Sequence, residues 1–80
     1  MQEILRINKS MTIGQQIRLR RLELNLTQAQ LGKELGIHVQ LISQIERGAS
    51  QASTKRLGEF AAFLNFVIHV PMPKGVIKAE

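Results

Sequence analysis

Residues 27–48 read TQAQLGKELGIHVQLISQIERG. This pattern predicts two short helices joined by a tight turn: Gln28 to Leu35, then Gly36-Ile37-His38, then Val39 to Arg47. Thr27 is placed to accept a hydrogen bond from the backbone N–H of Gln30, and the Gln30 side chain reaches back, a reciprocal capping box. Gly36 stands where the first helix must stop, because a residue without Cβ enters the left-handed conformation cheaply. Leu31, Leu35, Ile37, Ile42 and Ile45 recur at intervals that put them on inward faces. Gly32 in mid-helix costs about 1 kcal/mol against Ala, so it marks a close helix–helix contact. Gly48 closes the second helix.

The pattern is a helix-turn-helix. In such a unit the second helix enters the DNA major groove while the first crosses the backbone above it. His38, Gln40, Ser43 and Gln44 supply the short polar side chains that its exposed face needs. Gln makes two hydrogen bonds to an adenine edge, and Ser donates or accepts. The plainer alternative is a helical hairpin whose polar face is only solvated; turn glycine, cap and apolar spacing together weigh against it.

Upstream, Thr12 and Gln15 form a second capping box that starts another helix. Ile13, Ile17, Arg21 and Leu24 share one face of it by their spacing, and Arg18 and Arg20 point elsewhere, toward solvent or phosphate. An Arg on an apolar face needs a carboxylate partner. Glu46 is the candidate, since a carboxylate near a helix C-terminus opposes the macrodipole and gains from a compensating cation. Asn25 suits the left-handed residue that ends this helix, and Leu26 the hydrophobic staple before Thr27. Residues 1–11, MQEILRINKSM, show no clear period and read as a loosely ordered arm. In it Arg6 and Lys9 either follow a DNA backbone or are simply solvated.

Downstream, Ser53 or Thr54 caps a helix running to about Leu64, with Leu57, Phe60, Ala61 and Leu64 as its inward stripe. Lys55 and Arg56 lie in its first turn, against the dipole preference, either as surface charge or as a phosphate site. Gly58 there signals close packing or a loss of stability. Phe66-Val67-Ile68-His69-Val70 is β-branched and aromatic and stops at Pro71. A lone strand leaves its backbone groups unpaired, so the economical solution is pairing with the same strand of a second chain about a two-fold axis. The alternative is an extended apolar tail on the domain's own core. Residues 72–80 read as a flexible tail. The organisation expected is therefore an arm (1–11), a helix-turn-helix domain (12–65), a dimerisation strand (66–71) and the tail.

Eighty residues make one small domain that buries about 60% of its unfolded surface, so a second copy would add stability. The formal net charge of +5 suits phosphate. The chain has no Cys, Trp or Tyr, which excludes disulfides and thiolate metal sites and argues against a base-stacking platform for single strands. No apolar run is long enough to span a membrane and no signal-peptide core is seen, so a cytoplasmic protein is expected. His38 and His69 are far apart, all acidic residues are scattered Glu, and Ser43 has no base beside it. These features point to no metal, no cofactor and no enzymatic activity.

From about Ile13 to Leu64 the chain resembles XRE-type helix-turn-helix domains, the group that includes the phage Cro and CI repressors. The resemblance rests on IGQQIRLRRLELNLTQAQLGKEL, GIHVQLISQIERG and TKRLGEFAAFL. It implies an all-α, lambda-repressor-like fold of four to five helices. It further implies that His38, Val39, Gln40, Ser43 and Gln44 face base edges. Gln28, Arg47 and Lys55 would contact phosphate, and Arg21 and Glu46 would tie the first helix to the recognition helix. Val39 stands where a polar reader is common, and the loop after Gly48 differs in length, which weakens the transfer onto Lys55. FLNFVIHVP adds a narrower resemblance to HipB-like antitoxins. It implies a homodimer joined by strand pairing, an inverted-repeat operator in double-stranded DNA, and a kinase-type toxin partner. The expectation is thus a homodimeric, autoregulatory transcriptional repressor, with an antitoxin role compatible with it. The alternative is a protein-interaction or RNA-associated helix-turn-helix module without a specific operator.

Overall fold

The computed structural model describes residues 11–70 and 76–77; the expected arm apart from Met11, Pro71 of the expected strand and most of the expected tail lie outside them. Four helices follow one another: α1 Ile13–Glu23, α2 Gln28–Leu35, α3 Val39–Arg47 and α4 Thr54–Leu64, then strands β1 Ile68–His69 and β2 Val76–Ile77. Each helix start is a side-chain cap. Thr12 and Thr27 form complete capping boxes with Gln15 and Gln30, His38 caps α3, and Ser53 caps α4. Each of these caps supplies an acceptor to an otherwise unpaired first-turn N–H. The helix ends are left-handed where expected at Gly36 and Gly48, and Asn25 and Asn65 adopt the same conformation after α1 and α4.

Ile17, Leu31, Ile37, Ile42, Ile45, Leu57, Phe60, Ala61, Leu64 and Ile68 make one buried core drawn from every helix, the turn and β1. The inward stripe of α4 is as expected. Leu24 departs from the α1 face: it is 40% exposed. The helix ends at Glu23, and Leu24 is already the residue that turns the chain away. Gly32 is a close-approach position, but its neighbour is the turn rather than a helix. A Cβ there would overlap the carbonyl oxygen of Ile37 and sit 3.6 Å from the Ile42 side chain.

The strand is shorter than the sequence predicts. The Phe66 N–H still bonds to the Ala61 carbonyl at 3.2 Å, so Phe66 belongs to the end of α4. The strand's backbone is also not unpaired, which removes the premise for its pairing with a second chain. β1 pairs antiparallel with β2, Ile68 opposite Ile77 and His69 opposite Val76. On its other side the Gln16 side chain imitates a strand: its Oε1 accepts from His69 N–H at 2.7 Å and its Nε2 donates to His69 C=O at 2.6 Å. The same Nε2 donates to the Met11 carbonyl at 3.1 Å.

Candidate nucleic-acid interface

The site is built around one buried charge pair. Arg21 lies on α1 and Glu46 near the end of α3, with side chains 7% and 1% exposed. The guanidinium Nε donates to Glu46 Oε2 at 2.7 Å and Nη2 donates to Oε1 at 2.9 Å. The third guanidinium nitrogen, Nη1, donates to the Leu26 carbonyl at 2.8 Å. Gln28 at the start of α2 completes the set, its Nε2 donating to Glu46 Oε1 at 3.0 Å. A bidentate Arg–carboxylate pair has fixed planar geometry. This one therefore sets α3 against α1, and through Gln28 and Leu26 it sets both against the start of α2. Gly14 makes the close approach possible. A Cβ on it would overlap the Ile45 carbonyl oxygen and lie 2.6 Å from that of Glu46.

The opposite face of α3 is left to solvent. Val39, Gln40, Gln44 and Arg47 are exposed, and Ser43 is half-buried. Ser43 Oγ accepts from Arg47 Nε at 3.3 Å, four residues on. His38 is exposed and holds the first turn, its Nδ1 accepting from the Gln40 N–H at 3.1 Å. The structure thus places together His38, Val39, Gln40, Ser43, Gln44 and Arg47 on one helix and its cap. Gln28 joins them through Glu46.

Lys55 sits apart, at the N-terminus of α4, where Ser53, Lys55, Arg56 and Glu59 line a shallow cleft. Arg56 is in a half-exposed pair with Glu59 at 3.3 Å, while Lys55 has no carboxylate partner among the described residues. Arg47 likewise makes no ion pair among them. Both cations that the resemblance assigns to phosphate therefore keep their charge available. Of Phe66, Val67, Ile68, His69 and Val70, Ile68 is buried, Val67 exposed and the others half-buried.

Three functional placements escape a reading of the sequence. Arg20 does not point to solvent: its Nε donates to the Leu64 carbonyl at 2.8 Å and its Nη2 to that of Asn65 at 3.3 Å, closing the end of α4. Gln16 closes an edge of β1. His38 is a cap as well as an exposed polar side chain. The available signal for Arg20 was its spacing, since it lies four residues from Gln16 on the flank of the Ile13–Ile17 face.

Residues 17–67 match the helix-turn-helix family model, and the chain belongs to this XRE-type family. It is similar to two uncharacterised HTH-type transcriptional regulators, one from Sinorhizobium medicae (strain WSM419) and one from Rhizobium meliloti (strain 1021). Each is 40% identical over 53 residues, a stretch that covers 66% of this chain and 38% of the relative. The chain thus matches well under half the length of these relatives. No solved structure gives a significant match.

Proposed function

We propose that the chain is a sequence-specific DNA-binding transcriptional regulator that reads the major groove with α3. The observation that carries this reading is the exposed row of Gln40, Gln44 and Arg47 on a helix clamped from behind by Arg21, Glu46 and Gln28. Phosphate contacts by Arg47 and Lys55 supply affinity that falls steeply with salt, and the polar row supplies base choice. His38, Val39, Ser43 and Gln28 flank that row. Gln28 reaches phosphate with the second hydrogen of its Nε2, the first being held by Glu46. The names of the relatives, as HTH-type transcriptional regulators, support the same reading.

The regulator acts as a homodimeric repressor on an inverted repeat, its recognition helices about one helical turn apart. Both backbone groups of one strand residue point to the same side, and those of the next residue to the other. Because His69 is bonded to Gln16, the β1 edge toward α1 is closed at that residue, and Ile68 faces β2. Among the described residues, the edge left for a second copy is therefore the outer side of β2, where the backbone of Val76 points. Val76→Pro removes one donor from that edge without touching the Ile68–Ile77 pair. The variant is expected to be monomeric in sedimentation, and a dimer as tight as wild type would place the contact elsewhere. The kinase-type toxin implied by the tail's resemblance extends this reading. A kinase gene beside this one, and co-purification of its product, would support the extension.

The deciding experiment is selection from random duplex DNA with the purified protein, alongside its mass in solution. An enriched inverted repeat bound by a dimer is expected. No enrichment, with binding that persists at high salt, would favour a protein-interaction or RNA-associated module.

A further inference from the structure

His38 is tied into α3 through one of its two ring nitrogens, and the choice of nitrogen has a consequence for what the other offers. Nδ1 accepts the Gln40 backbone N–H at 3.1 Å, from an extended backbone with φ −62° and ψ 141°. An accepting nitrogen carries no proton, so the neutral ring must carry its proton on Nε2. Nε2 lies on the far side of the ring from Nδ1 and makes no hydrogen bond among the described residues. The residue is exposed and stands at the N-terminal end of the recognition helix, the end whose residues contact base edges in this motif.

We propose that His38 is a base reader of fixed polarity: the cap consumes its acceptor, so it presents a single N–H donor to the operator and selects guanine. Guanine shows two adjacent acceptors in the major groove, N7 and O6, whereas adenine pairs its N7 acceptor with an N6 amino donor. A ring that only donates is satisfied across the whole guanine edge, and it meets a second donor beside the acceptor on adenine. The neighbouring glutamines carry both a donor and an acceptor and suit adenine. The end of α3 therefore holds two chemically different readers side by side. A histidine free to exchange its tautomers would have no such preference. The cap also links the two roles, since any change that takes the Nδ1 lone pair frees the Gln40 N–H at the same time.

This inference rests on the proposed DNA reading, and its test separates the two. The tautomer is measured first, by the ¹⁵N shifts of the His38 ring in the free protein about two pH units above the ordinary histidine value. A proton on Nε2 is expected; a proton on Nδ1 overturns the inference before any DNA is added. Selection from random duplex DNA is then run with wild type and with His38→Gly, since Gly is well tolerated at an N-cap and offers no side-chain donor to a base. Melting temperatures of the two should agree closely. The selected sites should differ at one position per half-site, where wild type requires guanine and the variant does not. Replacing that guanine by 7-deazaguanine should weaken wild type by about tenfold, the scale of one lost specific contact. The same replacement should leave the variant unchanged. If wild type enriches a site and the variant keeps the same guanine preference, His38 is a cap only and the inference fails. A uniform loss of affinity across all sites places Nε2 on phosphate and also overturns it. If wild type enriches nothing, the failure lies in the DNA reading itself.

Discussion

Helix α1 is held on two flanks, and the two are held differently. On one flank, Gly14 and Arg21 lie two turns apart and face α3, where Arg21 meets a carboxylate. On the other, Gln16 and Arg20 lie one turn apart and face the C-terminal segment. There they meet backbone alone: His69 N–H and C=O, and the carbonyls of Leu64 and Asn65. The first flank positions the recognition helix. The second fastens β1, and through it β2, whose outer edge the proposed dimer would use. One α-helix thus carries α3 on one side and the C-terminal strand on the other, with Ile17 buried between them.

This comparison breaks most easily at the charge pair. Arg21→Ala leaves Glu46 buried without its partner and should cost about 3–5 kcal/mol. Small domains have only about 5–15 kcal/mol in total, so the urea midpoint should fall sharply. A shift under 1 M would mean that Gln28 and water compensate for the loss, and that the flank is less rigid than the geometry states. On the other flank, Gln16→Leu strands His69 N–H and C=O. The expected loss is about 2–3 kcal/mol, near the upper end for unsatisfied buried groups. Its signature is local: hydrogen exchange at the His69 amide should accelerate more than at α3. Equal acceleration everywhere would show that the two flanks are one cooperative unit.

Gly14→Ala drives a methyl against the backbone of Ile45 and Glu46 and should cost about 1–3 kcal/mol, as overpacking does. Its thermal melt sharpens the first flank, because backbone carbonyls cannot swing aside as a flexible side chain would. Gly58→Ala is the matching control on α4, where a Cβ meets nothing within 4 Å. Of the two readings its sequence position left open, close packing is excluded among the described residues. The substitution should stabilise by about 0.5–1 kcal/mol through helix propensity and a less flexible unfolded chain. A loss instead would show that this face of α4 is covered in the assembled protein.

The legibility of the two flanks follows from what each leaves in the sequence. A side-chain pair writes itself twice: Arg21 is out of place on an apolar face, Glu46 is out of place at a helix end, and each explains the other. Hydrogen bonds to backbone write themselves once. Every residue has a carbonyl, so nothing about Leu64, Asn65 or His69 marks it as the partner of Arg20 or Gln16. The same asymmetry made the strand appear unpaired, since neither β2 nor the Gln16 amide announces itself as its neighbour. His38 is a third case. Its cap goes to a backbone N–H, so only its exposure was legible.

What the sequence determined by itself was local and periodic. Helix starts at Thr12, Thr27 and the Ser53-Thr54 pair, left-handed ends at Asn25, Gly36 and Gly48, and the buried stripe of α4 all depend on residues within a turn of one another. Such interactions act in any context that lets the helix form. The charge pair across α1 and α3 was added to these because both its members were locally anomalous. Only the tertiary structure decided that Gln16 and Arg20 fasten the C-terminal segment and that β1 finds its partner within the chain. It alone decided that Gly32 packs on the turn. Each of these depends on a backbone group being brought within hydrogen-bond or contact distance, and the sequence alone does not show where the fold brings it.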